Sequence, residues 1–347
     1  MEPARAAAFS PPGWRQGYRL RLKRRRLLWR SLRSRHQLRS VVDRTGLIRP
    51  GDILGFVVLR NESARLPYFL QHYRALGVSQ FLVVDNGSTE GSAAFLAGQL
   101  DVSLWQTEAS YRAARFGLDW SSWLQMRYGH GHWCLTVDAD ELLIYDGFEH
   151  HDLPDLTAVL EDQAIPGFGA LMLDLYPKGP LGAQSYAPGQ DPCEVLPWFD
   201  TGPYRASRQA PMGNLWLQGG ARERVFFADA AQRSPTLNKI PLMKWNRRYA
   251  YANSTHSILP PALNGLYEGP GGAQPAGVLL HTKFLPEIVS KSATEKQRQE
   301  HFHTPQDFDH YYDDLAAAPV LWDENSHEYK GAGQLCTLGL MPNLTWD

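Results

Sequence analysis

His132-Trp133-Cys134-Leu135-Thr136-Val137-Asp138-Ala139-Asp140-Glu141-Leu142-Leu143 is the stretch that decides the architecture. A short apolar run stops at three carboxylates within four residues, and apolar character then resumes. An unpaired carboxylate is costly to bury, so these acids belong where a strand leaves the core. Asp138 and Asp140 are two apart and point the same way in extended backbone. A shared hard cation would relieve their repulsion, because Mg²⁺ or Mn²⁺ takes one or two carboxylates and completes its shell with water and phosphate oxygens. A solvated acidic corner would have the same local pattern, so the surrounding sequence has to separate the two.

Upstream, Ile53–Leu59 is a continuous apolar run, the mark of a strand covered on both faces. Asn61-Glu62-Ser63 supplies a cap signal, and helical spacing over Arg65–Leu76 closes at Gly77. Phe81–Val84 is a second buried strand and ends in the turn-rich Asp85-Asn86-Gly87-Ser88-Thr89. The pattern continues with a helix over Ser92–Leu100, a strand over Val102–Gln106, a helix over Tyr111–Tyr128 and a strand over Trp133–Val137. A helix over Asp152–Gln163 and a strand over Phe168–Leu175 follow. This alternation predicts an α/β fold with a mostly parallel sheet flanked by helices. Ligands of such sheets bind beyond the carboxyl ends of the strands. Arg60-Asn61-Glu62, Asp85-Asn86-Gly87-Ser88 and Asp138-Ala139-Asp140-Glu141 all arrive at that edge, which favours one composite site.

These three motifs, in this order and spacing, resemble the family 2-type glycosyltransferases of the GT-A fold, in particular a bacterial subgroup with R-N-E, V-D-N-G-S and D-A-D-E signatures. The resemblance covers residues 51 to about 180 well and extends more weakly to about 300. It implies a Rossmann-like sheet and a hexosyltransferase-type activity on a nucleoside-diphosphate sugar. It also implies a Mn²⁺ or Mg²⁺ cofactor and a glycan or lipid-linked acceptor, as in cell-envelope or polysaccharide synthesis. Asn61 and Glu62 match positions where the first strand meets the nucleotide, with Arg60 and Asn86 beside them, and Asp85 matches an acid that contacts base or ribose. Asp138 and Asp140 match the pair that holds the cation on the donor diphosphate, Asp138 thereby also touching the donor. Some GT-A enzymes complete the metal shell with a late histidine. His281 ends an apolar strand and fits that role best, ahead of His256.

An inverting member needs a carboxylate to accept the acceptor's proton. Asp174, near a strand end before a Gly/Pro loop, is the first candidate, with Glu141 and Glu223 as the others. Lys239, Lys244, Arg222 and Arg224 are candidates for offsetting leaving-group charge. Trp198, Phe199, Tyr204 and Trp216 border the Pro/Gly-rich stretch 176–215, read as long surface loops, and either shape an acceptor cleft or pack in the core.

At 347 residues and 43% hydrophobic content the chain can bury a full core. Three scattered cysteines fit neither a disulfide framework nor a zinc site, so a reducing, cytoplasmic location is expected. No apolar run is long enough to span a bilayer and no signal-peptide core is present. Residues 1–50 hold fourteen Lys/Arg against Glu2 and Asp43, a balance of +12 that leaves −13 for the rest. Three regions result: a basic arm over 1–50, disordered or lying on a membrane surface; a GT-A domain over 51–285; and a helical C-terminal extension over 286–347. The arm, through residues 15–44, suits an anionic membrane at the inner face of the cytoplasmic membrane. Nucleic acid is not expected as a partner, because the body is acidic. Competing functions are a non-catalytic binding protein of the same fold and an aspartyl phosphotransferase or phosphatase using Asp138.

Overall fold

The computed structural model describes residues 7–292 and 309–346. It opens with helix α1 (Trp14–Ser34) and strand β1 (Arg39–Val42). Then β2 (Ile53–Leu59), α2 (Leu66–Ala75), β3 (Val78–Asp85), α3 (Ser92–Ala97), β4 (Val102–Gln106), α4 (Leu118–Tyr128) and β5 (Trp133–Thr136) alternate. β6 (Glu141–Ile144), α5 (Leu153–Asp162) and β7 (Gly167–Asp174) follow. The next part is more broken: α6 (Pro192–Val195), β8 (Trp198–Phe199), the hairpin β9 (Tyr204–Gln209) and β10 (Asn214–Gly219), and α7 (Gly220–Phe226). The chain continues through β11 (Asn238–Lys244), the pair β12 (Ala250–Tyr251) and β13 (Ile258–Leu259), and β14 (Ala276–His281). α8 (Asp309–Ala316), β15 (His327–Glu328) and α9 (Ala332–Thr337) complete the described chain.

Nine strands form one sheet in the order β1-β4-β3-β2-β5-β11-β7-β14-β6. β4, β3, β2 and β5 pair in parallel, and β7 pairs in parallel with β14. β1, β6 and β11 run against them. The sheet is therefore mainly parallel, and helices cover both faces. Sequence order reverses between β2 and β5, which opens a crevice beyond their carboxyl ends. Side chains alternate as extended backbone requires. Ile53, Val57, Phe81, Val83 and Leu135 join the core under α2 and α5, while Leu54, Phe56, Leu82, Val84 and Cys134 join the core under α4.

The structure revises some boundaries. Residues 111–117 turn rather than coil, and α4 starts only at Leu118, because Arg115, Phe116 and Gly117 all have positive φ. An added Cβ at Gly117 would also lie 2.7 Å from Val58. The stretch 176–215 is not only surface loop, since Tyr176, Leu196 and Phe199 are fully buried. Phe199 is core, and Trp198 packs edge-on against Trp322. Residues 39–42, assigned from sequence to the basic arm, form the sheet's edge strand against β4. Part of the tail expected to be helical, 293–308, lies outside the described residues. No helix among the described residues is long and apolar enough to cross a membrane.

His72 shows how tightly α2 is pressed on the sheet. Its ring nitrogen is 2.9 Å from the Leu143 carbonyl of β6, and burial pulls its pKa from 6.5 down to about 4. The folded state thus resists a proton that the unfolded chain accepts. Stability is full above pH 6.5, declines as pH falls toward 4 and levels off below. The drop expected from this residue is about 3 kcal/mol. Urea unfolding across this range should show a flatter pH dependence for His72→Gln than for the parent chain; parallel curves would remove His72 as the cause.

Candidate active site

A cavity of about 370 Å³ lies at the carboxyl ends of the parallel strands. The turn after β2 forms one wall through Arg60, Asn61 and Glu62, and the D-A-D-E segment forms another. Asn61 sits at φ 54°, a left-handed conformation that asparagine tolerates. Its N–H donates to Ser88 Oγ at 2.8 Å, and its side-chain carbonyl accepts from Thr89 N–H at 2.8 Å. Glu62 N–H donates to Ser92 Oγ at 3.0 Å, so the turns after β2 and β3 are laced together. Arg60 reaches the Asn86 carbonyl at 3.0 Å. Asn86 spends its amide on the Thr107 and Ala109 carbonyls, and faces the cavity. Asp85 is fully buried, accepts from Ser88 Oγ and Gln106, and is not among the cavity-lining residues.

The acids of the D-A-D-E segment are separated by cations. Lys239, at the start of β11, places Nζ 2.8 Å from Asp138 and 2.6 Å from Glu141. Burial works against its charge, but the two carboxylates raise its pKa above the usual lysine value. Glu141 is fully buried and accepts the Asp138 N–H at 3.0 Å. Burial pushes its carboxyl up to about 7, against the pull of Lys239. Asp138 itself is half-exposed.

Asp140 lies 3.2 Å from His281 Nε2, and His281 Nδ1 lies 2.6 Å from Asp174. The other Asp174 oxygen accepts from Arg222 Nε at 2.7 Å. Strand register sets this line, because His281 of β14 pairs with Asp174 of β7 on one side and Glu141 of β6 on the other. Burial disfavours every charge in it. Even so, His281 holds Asp140 well below the ordinary carboxylate value, Arg222 lowers Asp174, and Asp140 with Asp174 raises His281. Arg222, Asp174, His281 and Asp140 therefore form a row in which each carboxylate meets a basic side chain. Arg65, bound to Glu62 at 2.7 Å and to the Thr282 carbonyl, ties the β14 end to the turn after β2.

The candidates thus divide. Arg60, Asn61, Glu62, Asn86, Asp138, Asp140, Glu141 and His281 line one cavity. Asp174 lies behind His281 with both oxygens engaged, placed to orient an imidazole rather than to meet a hydroxyl. Glu223 accepts from Arg205 and Ser234 and is not among the lining residues. His256 lines the cavity with Nδ1 on the Asn238 carbonyl, and burial lowers its pKa to about 3, which keeps it neutral. Lys244 pairs with Glu161, and Arg224 with Asp200 and Asp323. Sequence reasoning missed the pairing roles of Lys239 and Arg222, and it missed Arg65, Lys283 and Lys291 as lining cations.

Among the described residues, no group of three or more His, Cys, Asp or Glu side chains is arranged to hold a metal ion. The donor chemistry nevertheless suits a hard cation completed by water and phosphate. Asp138 and Asp140 both border the cavity, and His281 has the carboxylate behind Nδ1 that orients metal-binding imidazoles. His281 could join them only through Nε2, the nitrogen that faces Asp140.

Lys239→Met would leave Asp138 and Glu141 facing each other without a cation. Breaking a buried pair in this way typically costs about 3–5 kcal/mol. The deficit in urea unfolding should grow as pH rises above about 7, where Glu141 ionises in the parent chain but is held protonated in the variant; a deficit independent of pH would mean that lost packing, not charge, is responsible.

No family model matches this chain and no curated protein does. Solved structures of similar shape include a mannosyltransferase from Pyrobaculum calidifontis in complex with GDP-Man and Mn²⁺, at 15% identity, 90% of this chain, 82% of that chain and a TM-score of 0.31. A 4-diphosphocytidyl-2C-methyl-D-erythritol synthase matches at 15% identity, 40% of this chain, 66% of that chain and a TM-score of 0.23. A Bacillus anthracis protein assigned as a glucose-1-phosphate thymidylyltransferase, solved with a sucrose, matches at 8% identity, 38% of this chain, 61% of that chain and a TM-score of 0.24. The chain thus spans a little under two thirds of the length of these last two proteins. At these TM-scores the likenesses do not decide this chain's chemistry.

Proposed function

We propose that this chain is a cation-dependent glycosyltransferase of the GT-A type, moving a sugar from a nucleoside-diphosphate donor to a glycan or lipid-linked hydroxyl. The observation that carries the proposal is the meeting, in one cavity, of the turns after β2 and β3 with the paired Asp138 and Asp140 after β5. A nucleoside diphosphate has to be held by a cation and by basic side chains. Asp138 and Asp140 would hold the cation, whose contribution when bound is to offset the charge of the departing diphosphate. Arg60, Arg65, Lys283 and Lys291 border the same cavity and add fixed positive charge.

The remaining work falls to positioning. Lys239 and Glu141 fix Asp138 from below, while Asp174 and Arg222 fix His281 and through it Asp140. In the proposed reaction the acceptor oxygen bonds to the anomeric carbon as the bond to the diphosphate oxygen breaks, and the hydroxyl proton leaves to a base. A single displacement with inversion is part of the proposal; Asp174, held by His281 and Arg222, is not placed to form a covalent sugar ester.

Thermal unfolding with nucleoside diphosphates and nucleotide sugars, with Mn²⁺, Mg²⁺ or chelator, tests the proposal. A ligand at about 100 times its Kd adds about 2.7 kcal/mol. The expected result is a cation-dependent shift with one nucleotide, absent in Asp140→Asn, together with release of that diphosphate when an acceptor is supplied. Binding without transfer to any acceptor would point to a non-catalytic protein, a phosphorylated Asp138 to an aspartyl phosphotransferase, and no nucleotide response would remove the donor site.

A further inference from the structure

Helix α1 docks on the body through one narrow stripe. Leu20, Leu27, Ser31 and Ser34 are buried, and α1 packs along α4 and the β12–β13 pair. Ser34 Oγ donates to the Asp119 carbonyl, and Arg30 grips the Asp119 carboxylate at 3.0 Å. At 3.6 residues per turn the opposite side of the cylinder is set by positions 14, 18, 22, 25 and 29. Four of these are large and apolar yet open to solvent: Trp14 at 80%, Tyr18 at 58%, Leu22 at 45% and Trp29 at 60% exposure. The helix holds nine Lys/Arg and no acid, and Arg25, Arg26 and Arg33 are exposed beside this stripe.

Two further observations bear on what this face meets. An open groove runs beside the helix, walled by Trp14, Tyr18, Pro260 and Pro261, with Arg21 and Arg24 at its rim. Arg24 is crowded by Arg21, Arg248 and Arg25, and burial together with these neighbours lowers its pKa. An anionic partner would offset the mutual repulsion of these guanidinium groups.

We propose that the outer face of α1 seats on an anionic lipid bilayer, with Trp14, Tyr18, Leu22 and Trp29 at the headgroup boundary and the flanking arginines on lipid phosphates. The combination selects this occupant. Indole and phenol rings favour the interface between headgroups and acyl chains, and arginine favours anionic headgroups. A nucleic acid would use the arginines but leave the apolar stripe in water. Pairing of the face with its own copy would set cations against cations. The inference does not rest on the proposed chemistry. The same helix is tied to the segment that follows the cavity-lining Tyr111, where Arg30 holds the Ala113 carbonyl.

The test is co-sedimentation of the full chain with vesicles of phosphatidylcholine alone and of phosphatidylcholine mixed with phosphatidylglycerol. Binding to the mixed vesicles only is expected, weakened at high salt. Trp14→Ala with Trp29→Ala should lower it about tenfold or more, as should Arg25→Glu with Arg26→Glu, each with unchanged circular dichroism and Tm. Equal sedimentation of parent and variants, or equal binding to neutral vesicles, would overturn the proposal. So would a dimer in light scattering that the tryptophan variant abolishes while vesicles capture neither form.

Discussion

Four carboxylates, Asp138, Asp140, Glu141 and Asp174, converge at one sheet edge, and they cannot share it without cations between them. Charges withdrawn from water are tolerable only when paired and hydrogen-bonded. Lys239, His281 and Arg222 supply the pairing, and all three come from the second half of the chain. This requirement and the sheet topology are two sides of one solution. β11 runs antiparallel, so its beginning, with Lys239, reaches the edge where the parallel strands end. β14 runs parallel to β7, so its last residue, His281, reaches the same edge. The strand directions of the second half are those that bring a cation to each acid.

The parallel strands β2 to β5 were legible because each carries an apolar stretch and leaves the sheet through turn chemistry, whereas β1, with Arg39 and Ser40, was read as part of the basic arm. The strand-end clusters could therefore be placed together from sequence. β11 was not legible as a sheet-centre strand, since Asn238-Lys239-Ile240-Pro241-Leu242-Met243-Lys244 carries a proline and two lysines. Proline argues against a central strand unless the ladder is interrupted. Here the register against β7 shifts between Lys239 and Leu242, and Pro241 falls inside the irregularity. The same break leaves Lys239 close to the carboxylates. The turn at 111–117 was hidden for another reason: Arg115 and Phe116 adopt positive φ that only tertiary contacts impose. Arg115 is held not only by the nearby Asp119 but by the distant Tyr251 carbonyl, which local sequence does not show.

Proline, glycine and aromatic content led the stretch after β7 to be read as surface loop, yet part of it builds the second half of the core. Tyr176, Leu196 and Phe199 pack with Leu321, Leu335 and Leu340 from the C-terminal segment. Composition marked this stretch as irregular, correctly, but irregular backbone is not necessarily exposed backbone. Its polar groups are satisfied by short bridges such as Tyr176 N–H to the Trp198 carbonyl and by the β8–β15 pair. The β8–β15 pair, which sets Phe199 opposite His327, spans more than a hundred residues of sequence, which is why no local pattern announces it.

The same core explains how a distant segment comes to support the row of charges at the sheet edge. α7 has only seven residues and too few hydrogen bonds to persist alone. Three successive side chains fasten it in three directions: Arg222 to Asp174, Glu223 to Arg205 and Ser234, and Arg224 to Asp200 and Asp323. Its entry is fixed by Gly219 at φ 133°, where an added Cβ would lie 2.1 Å from the Pro203 carbonyl oxygen. Only glycine allows the hairpin β9–β10 to close this tightly and still deliver Arg222 beneath His281. The position of Asp140 is thus set at one remove by His281, at two by Asp174 and Arg222, and at three by a glycine turn and the C-terminal Asp323. A site with three of its acids on one short segment takes its geometry from almost the whole length of the chain.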